Sequence, residues 1–187
     1  MKSFLVYNVS MCLRRKIFAH AKELFEIDPG FFTSNNVRVL LIDLDNTLDS
    51  YRLYTPTDRS RGYIKRLQDA GITPFIISNN KGKRVSAYAN ELGLEYLHSA
   101  GKPFARKIKK LVKERGWKVN ELMIVGDQMV TDAGMANKAN IRMVLTDKIV
   151  KEDQWTTHFN RLLDRPMRKR AVRKGQLKDW RTLYGKD

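Results

Sequence analysis

Short apolar runs alternate with amphipathic stretches along the middle of the chain. Strands are predicted at residues 37–42, 72–77, 96–98, 122–125 and 141–145, because these runs are short and apolar. Helices are predicted at residues 56–71, 81–92, 104–116 and 130–138, where apolar residues recur at helical spacing or Pro and Gly mark an end. The helix at 104–116 rests on a stripe formed by Phe104, Ile108, Leu111 and Val112. This alternation favours an α/β fold: a parallel sheet with helices on both faces.

Polar side chains follow four of the predicted strands at the point where each strand ends. They are Asp43, Asp45 and Thr47 after the first strand, Ser78 and Asn79 after the second, Lys102 after the third, and Asp127 and Asp132 after the fourth. Ligands of open parallel sheets bind at the carboxyl ends of the strands. These residues are therefore predicted to meet at one edge of the sheet.

The residue types in this set suit phosphoryl chemistry. Crowded carboxylates repel one another, and a hard cation such as Mg²⁺ relieves that repulsion. Asp43 is placed to attack a phosphoryl group, and Asp45 is placed to act as the general acid and base. Lys102 can neutralise the charge that develops there. Ser78 can hold phosphate oxygens, and Thr47 and Asn79 are further candidates for substrate binding.

Each motif has a plain structural interpretation when it is taken alone. Asp43 to Thr47 could form a turn, Ser78 could cap a helix, and Lys102 could be a solvated charge. The full set, in which each member follows its own strand, favours a catalytic site over these alternatives.

The chain of 187 residues carries 36 Lys and Arg against 20 Asp and Glu, a net charge of +16. This excess favours a polyanionic partner such as an acidic membrane surface, a nucleic acid or a phosphorylated substrate. It is concentrated at residues 102–115, with 7 basic groups against one acidic group, and at residues 148–187, with 12 against 5. The single cysteine, Cys12, excludes an internal disulfide or a multi-cysteine zinc site, and it is expected to be buried and inert.

The ends of the chain are predicted to flank one catalytic domain. We divide the chain into an N-terminal helical or amphipathic extension (1–36), a catalytic domain (37–147) and a basic C-terminal extension (148–187). In the last of these, Trp155, Phe159, Leu162 and Leu163 recur at helical spacing and are expected to pack on the core. The N-terminal apolar run precedes its basic residues, which is the reverse of a secretory signal, and no run is long enough to span a membrane. We expect a cytoplasmic protein, with peripheral membrane contact left open and no prediction of oligomeric state.

Four segments resemble the phosphatases of the haloacid dehalogenase superfamily, and more narrowly subfamily IIIA proteins of the YqeG type. The segments are LIDLDNTLDSY (41–51), IISNNKGKRV (76–85), AGKPFARK (100–107) and IVGDQMVTDAGMANKANI (124–141). The resemblance implies a Rossmann-like fold and Mg²⁺-dependent hydrolysis of phosphomonoesters, with Asp43 as nucleophile and Asp45 as acid and base. It also implies that Ser78 and Lys102 serve the phosphoryl group. Mg²⁺ would be bound by Asp43, the Asp45 carbonyl and Asp127, with Asp132 in support.

The spacing between the motifs leaves no room for a cap domain. Asn79 follows Asp45 by 34 positions, and 23 residues lie between Ser78 and Lys102, so one helix and one strand fill each interval. An open site favours a large or surface-presented substrate, and residues 50–59 could form a small flap beside it.

Three substrate classes remain open. The first is an anionic lipid phosphate, because the resemblance extends to phosphatidylglycerophosphate phosphatases. The second is a nucleic-acid end, or else the protein binds RNA or ribosomes, with Trp155, Trp180 and Tyr184 available for stacking. The third is a small phosphorylated metabolite.

Overall fold

The computed structural model describes residues 17–150 and 158–184, with side chains from residue 163 onward in the second range. The predictions made for Cys12, Trp155, Phe159 and Leu162 lie outside the described side chains. Within the described ranges, no helix is long and apolar enough to cross a membrane.

Six parallel strands form one sheet. They are β1 (Ala19–Ala21), β2 (Val39–Asp43), β3 (Thr73–Ile77), β4 (Tyr96–Leu97), β5 (Leu122–Gly126) and β6 (Arg142–Thr146), in the spatial order β1-β6-β5-β2-β3-β4. The five predicted strands are all present, and the sequence missed β1. That strand is only three residues long and pairs with β6, with Ala19 beside Val144, so it has no periodic pattern of its own.

The α-helices of the described residues are α1 (Pro29–Ser34), α2 (Asp58–Asp69), α3 (Gly82–Glu91), α4 (Arg106–Glu114), α5 (Asp132–Ala139) and α6 (His158–Arg173). Four of them match predicted helices but begin one or two residues later. In α2 the reason is a cap, because the Thr57 hydroxyl accepts a hydrogen bond from the Ser60 amide at 3.2 Å. Phe104 was predicted on the buried stripe of α4, but it precedes the helix and is 67% exposed.

Two hydrophobic clusters lie on opposite faces of the sheet. On one face, Leu40 and Ile42 pack with α2 and α3 through residues such as Leu67 and Tyr88. On the other face the cluster contains Leu41 and residues of α4, α5 and α6. Neighbouring residues of β2 alternate between the clusters, as the strand geometry requires. The predicted α/β fold with helices on both faces is therefore confirmed, and residues 17–150 and 158–184 contain no cap domain.

Residues from both flanking segments pack on this sheet. Trp180 is buried in the first cluster, and its ring lies 5.7 Å from that of Phe31. The Tyr184 hydroxyl donates a hydrogen bond to Asp28 at 3.2 Å. In the C-terminal helix α6, Met167 is buried while Leu163 is 46% exposed, so the prediction that Leu163 packs on the core was wrong. The core-facing side of α6 lies one turn further on.

Candidate active site

Three buried aspartates meet where β2 and β5 end. These strands are neighbours in the sheet, with Ile42 beside Val125, so Asp43 and Asp127 leave adjacent strand ends. Asp132 is the first residue of α5, which follows β5. One carboxylate oxygen from each aspartate lies within 4.8 Å of the others, and all three residues are buried. The sheet order thus brings together residues that are about 90 positions apart in the sequence.

Lys102 lies between two of these carboxylates. Its Nζ is 2.5 Å from Asp43 Oδ1 and 2.7 Å from Asp132 Oδ1, and its side chain is only 2% exposed. The backbone of Lys102 is fixed by Asn79, whose Oδ1 accepts from the Lys102 amide at 2.8 Å and whose Nδ2 donates to the Lys102 carbonyl at 3.0 Å. Asn79 therefore holds the loop that carries the ammonium, and its predicted contact with substrate stays a prediction.

Burial and excess negative charge both act on this cluster. Burial raises the pKa of Asp43 well above its usual value; Lys102 opposes the rise, and the other carboxylates add to it. Burial alone lowers the pKa of Lys102, but Asp132 and Asp43 outweigh that effect, and the pKa of Lys102 lies above the usual range of lysine. The two shifts thus have different leading causes: loss of water raises the pKa of Asp43, and two adjacent carboxylates raise that of Lys102.

Asp45 has a separate set of partners. Its carboxylate accepts hydrogen bonds from Arg84 Nη1 at 2.5 Å, Asn80 Nδ2 at 2.9 Å and Ser78 Oγ at 3.3 Å. All three donors lie in or just after the turn that follows β3. The neighbouring residue Asn46 has a φ of 66°, a left-handed conformation that asparagine tolerates better than most residues. This turn lets Asp45 leave the line of β2 and face the β3 loop.

The remaining predicted residues line the same strand ends. Thr47 is buried, and its hydroxyl donates to Asp43 Oδ2 at 3.4 Å. Ser78 is fully buried, and its Oγ also accepts from the Asn80 amide at 3.0 Å. The structure thus brings every predicted site residue to one edge of the sheet.

Gly126 supports the position of Asp132. A Cβ at Gly126 would lie 2.5 Å from Asp132 Cγ and 2.7 Å from its Cβ. Asp132 Oδ2 also accepts from the Gln128 amide at 3.1 Å. The Asp132 side chain therefore packs directly against the backbone of Gly126, and a larger residue at position 126 would displace it.

Comparison with known proteins agrees with this geometry. A family model described as haloacid dehalogenase-like hydrolase matches residues 10–140, which is well over half of the chain. The chain belongs to the haloacid dehalogenase-like hydrolase family. The prediction that the chain is an enzyme of this hydrolase family is thereby confirmed.

Relatives of this hydrolase include a curated Bacillus subtilis protein, "Probable phosphatase YqeG". The two are 29% identical over 156 residues, covering 83% of this chain and 91% of the relative. Among solved structures, an uncharacterized protein from Listeria monocytogenes serotype 4b has a TM-score of 0.50 at 12% identity, covering 71% of this chain and 99% of that one. The structure of a "putative 3-deoxy-D-manno-octulosonate 8-phosphate phosphatase" from Vibrio cholerae has a TM-score of 0.49 at 15% identity, covering 84% of this chain and 97% of that one.

The donor set of this haloacid dehalogenase-like hydrolase fits a divalent cation. Asp43, Asp127 and Asp132 offer carboxylate oxygens, the ligand type that Mg²⁺ prefers. With Lys102 as the counter-charge, the four ionised groups carry a net negative charge in a buried place. A cation of charge +2 would balance it.

Two residues of α6 contact the strand ends of the hydrolase, and sequence reasoning missed both. Arg168 Nη2 donates to the carbonyls of Asp127 and Thr146, each at 2.5 Å. Asp164 Oδ1 accepts from the Met129 amide at 2.5 Å. A signal existed, since Asp164 is an isolated acid in a strongly basic segment, but its partners could not be named from sequence.

Arg84 was also missed. It lies in the first turn of α3, where a positive charge opposes the helix dipole. That unfavourable placement is a signal that the side chain serves another group.

Proposed function

We propose that the chain is a Mg²⁺-dependent phosphomonoester hydrolase that works through an aspartyl-phosphate at Asp43. The observation that carries this proposal is the position of Asp43: it ends β2, lies with two further buried carboxylates, and accepts a 2.5 Å hydrogen bond from Lys102. A carboxylate at a strand end, facing the edge where ligands bind, is suited to attack phosphorus.

The first half of the proposed reaction transfers the phosphoryl group to the protein. A carboxylate oxygen of Asp43 forms a bond to phosphorus while the bond between phosphorus and the ester oxygen breaks. Asp45 gives a proton to the departing oxygen, and the alcohol leaves. Lys102 lies 2.5 Å from Asp43 and offsets negative charge on the transferring group.

The second half restores the carboxylate. Asp45, now ionised, takes a proton from water as the water oxygen bonds to phosphorus. The bond between phosphorus and Asp43 breaks, and inorganic phosphate leaves. The same residue thus serves as acid and then as base, and atoms and charge balance over the cycle.

The binding roles follow the contacts at the strand ends. We propose that Asp43, Asp127 and the Asp45 carbonyl hold Mg²⁺, with Asp132 in support. When bound, the ion would supply positive charge to the phosphoryl oxygens. Ser78, Thr47 and Asn79 are the proposed substrate-binding residues, with Ser78 and Thr47 hydroxyls already turned toward the two catalytic carboxylates.

Substitution of the proposed nucleophile tests this function. Asp43→Asn keeps the size of the side chain but removes its nucleophilic charge, so Mg²⁺-dependent hydrolysis of an aryl phosphate is expected to fall at least about 1000-fold. Circular dichroism and the melting temperature serve as the folding control. Retained hydrolysis by folded Asp43→Asn, or full wild-type activity in EDTA, would contradict the proposal.

The favoured substrate is a large or membrane-presented phosphomonoester, with phosphatidylglycerophosphate as the lead. The described residues form no cap domain over the strand ends, which favours a bulky substrate. Leu53, Tyr54 and Phe104 are exposed apolar residues close to site residues: the Leu53 carbonyl accepts from Arg84, and Phe104 is two residues after Lys102. Exposed aromatic and basic residues together suit the surface of an anionic membrane.

A nucleic-acid end is a weaker alternative. The exposed basic residues of α4 favour it, because phosphate backbones are bound by such charges. Two of the three aromatic residues predicted for base stacking do not, since Trp180 is buried and Tyr184 packs against it with ring centroids 5.8 Å apart. A small phosphorylated metabolite is the third class, and it requires none of these surface features.

A further inference from the structure

We infer that Arg84 is a positioning residue for Asp45, and that it couples the Asp45 carboxylate to the flap segment, defined as residues 50–57. This inference rests on the proposed function, because it gives Arg84 a role through the acid and base of that reaction. It adds a residue that none of the sequence motifs assigned.

One guanidinium joins Asp45 to the flap segment. Arg84 Nη1 donates to Asp45 Oδ1 at 2.5 Å, and Nη2 donates to the carbonyls of Leu53 at 3.0 Å and Ser50 at 3.4 Å. The planar fork of arginine fixes the angle between these bonds. Any movement of the flap relative to α3 must therefore also move Asp45 or break a charged hydrogen bond.

The ends of the flap segment are held separately. Asp49 accepts hydrogen bonds from Tyr88 Oη at 2.5 Å, Ser60 Oγ at 2.8 Å and the Thr57 amide at 3.1 Å. Burial, together with the bond to Asp49, raises the pKa of Tyr88, which keeps its hydroxyl a donor. With both ends fixed in this way, Arg84 contacts the middle of the segment through the Leu53 carbonyl and ties it to the Asp45 carboxylate.

The placement of Arg84 is costly for stability. Its side chain is 11% exposed and that of Asp45 is 20% exposed, so both charges have lost much of their water. Arg84 also lies in the first turn of α3, where the helix dipole opposes a positive charge. Well-packed apolar residues often stabilise a fold as well as a buried ion pair does. A positioning role accounts for a charge at this place, whereas a role in stability alone does not.

The test uses leaving groups of different basicity. A good leaving group, such as p-nitrophenolate, needs little protonation, whereas the alkoxide of an alkyl phosphate depends on the general acid. The value of kcat/KM reports the steps up to phosphoryl transfer. If Arg84→Met misplaces Asp45, kcat/KM for an alkyl phosphate should fall at least about 10-fold more than kcat/KM for p-nitrophenyl phosphate.

The matched control is Arg61→Met. Arg61 also donates to a carbonyl and a carboxylate, at 2.9 and 2.6 Å, but both belong to Glu91, which lies at the far end of α3. It should change neither kcat/KM. Arg84→Lys keeps the charge but not the fork, and it should give an intermediate selectivity. If Arg84→Met does not fold, the same comparison of the two substrates is made with Arg84→Lys.

Two results would overturn the inference. An equal fall of kcat/KM for both substrates in Arg84→Met and Arg84→Lys would mean that Arg84 serves the fold alone. The second result concerns the double variant Asp45→Asn/Arg84→Met. If its kcat/KM for the alkyl phosphate falls selectively below that of Asp45→Asn alone, Arg84 acts by a route other than Asp45. Failure of the proposed function is distinct: it would appear as retained activity in Asp43→Asn.

Discussion

At the scale of single residues, the site consists of buried charged side chains that lie close to one another. Asp43, Asp127 and Asp132 lie within 4.8 Å of one another, and Lys102 bridges two of them. In a buried place such repulsion is weakly screened, so small displacements of one carboxylate change the others strongly. Residues that fix these positions, although they carry no charge, are therefore expected to affect cation binding.

Gly126 is the clearest such residue. Gly126→Ala would place a Cβ 2.5 Å from Asp132 Cγ, so the Asp132 side chain or the strand end must shift. We expect a loss of roughly 1–3 kcal/mol in the free energy of unfolding and a higher Mg²⁺ concentration for half-maximal activity. Urea unfolding and a Mg²⁺ titration of activity measure the two effects.

Gly62→Ala is the matched control. Gly62 lies inside α2, and a Cβ there meets nothing within 4 Å among the described residues. Alanine is the better helix former, so this variant should gain about 0.5–1 kcal/mol and keep its Mg²⁺ dependence. A Gly126→Ala variant as stable as wild type, with unchanged Mg²⁺ dependence, would show that Asp132 does not depend on this close contact.

At the scale of elements, the C-terminal helix α6 braces the loop that carries Asp127. Arg168 donates to the Asp127 carbonyl, and Asp164 accepts from the Met129 amide. Met167 and Ala171 of the same helix are buried in the cluster below that loop. The described part of this basic segment therefore does more than carry charge.

Arg168→Met should weaken both the fold and the site. It leaves the carbonyls of Asp127 and Thr146 without their guanidinium donor, and we expect a loss of roughly 1–3 kcal/mol in the free energy of unfolding. Activity should then require more Mg²⁺, because the Asp127 loop is less well fixed. Arg165→Met, an exposed site on the same helix, is the control and should change neither; equal behaviour of the two variants would refute the brace.

The elements also show what the sequence could and could not predict. Strands such as β2 and β5 were found because each is a short, fully buried apolar run, and the site residues were found because polar groups follow those runs. The strand β1 was missed because three residues carry no period. Arg84 and Arg168 were missed because the carbonyls that they bind, and the Asp45 carboxylate that Arg84 binds, lie 22 to 41 positions away in sequence, and only the folded chain brings them together.

At the scale of the whole molecule, the positive and negative charges lie in different places, although the net charge is +16. The candidate site is rich in carboxylates, whereas α4 carries exposed basic residues over its length. Lys109 and Lys113 lie one turn apart on α4 and are both exposed. Their charge can attract an anionic surface without a role in the chemistry.

Lys109→Gln/Lys113→Gln tests that separation. If α4 faces an anionic membrane, binding to vesicles that contain phosphatidylglycerol should weaken roughly 30-fold, since each of the two lysines near such a surface contributes about 1 kcal/mol. Hydrolysis of phosphatidylglycerophosphate in those vesicles should fall in parallel, while hydrolysis of p-nitrophenyl phosphate should not change. Co-sedimentation and phosphate release measure these quantities.

Lys65→Gln/Lys118→Gln is the control with the same net charge. Lys65 lies on α2, on the opposite face of the sheet, and Lys118 precedes β5 at the other end of the strands. Vesicle binding that falls equally in both variants would indicate net charge alone. Loss of RNA binding with unchanged vesicle binding would favour the nucleic-acid alternative.

Trapping of the phosphorylated protein tests the central claim most directly. In Asp45→Asn, an aryl phosphate can still transfer its phosphoryl group, but release by water is slowed, so the intermediate should accumulate. Borohydride reduces an acyl phosphate, and Asp43 should then be recovered as homoserine by peptide mass spectrometry. If Asp43 is recovered unmodified while the same sample releases the phenol of the aryl phosphate, the aspartyl-phosphate account is contradicted.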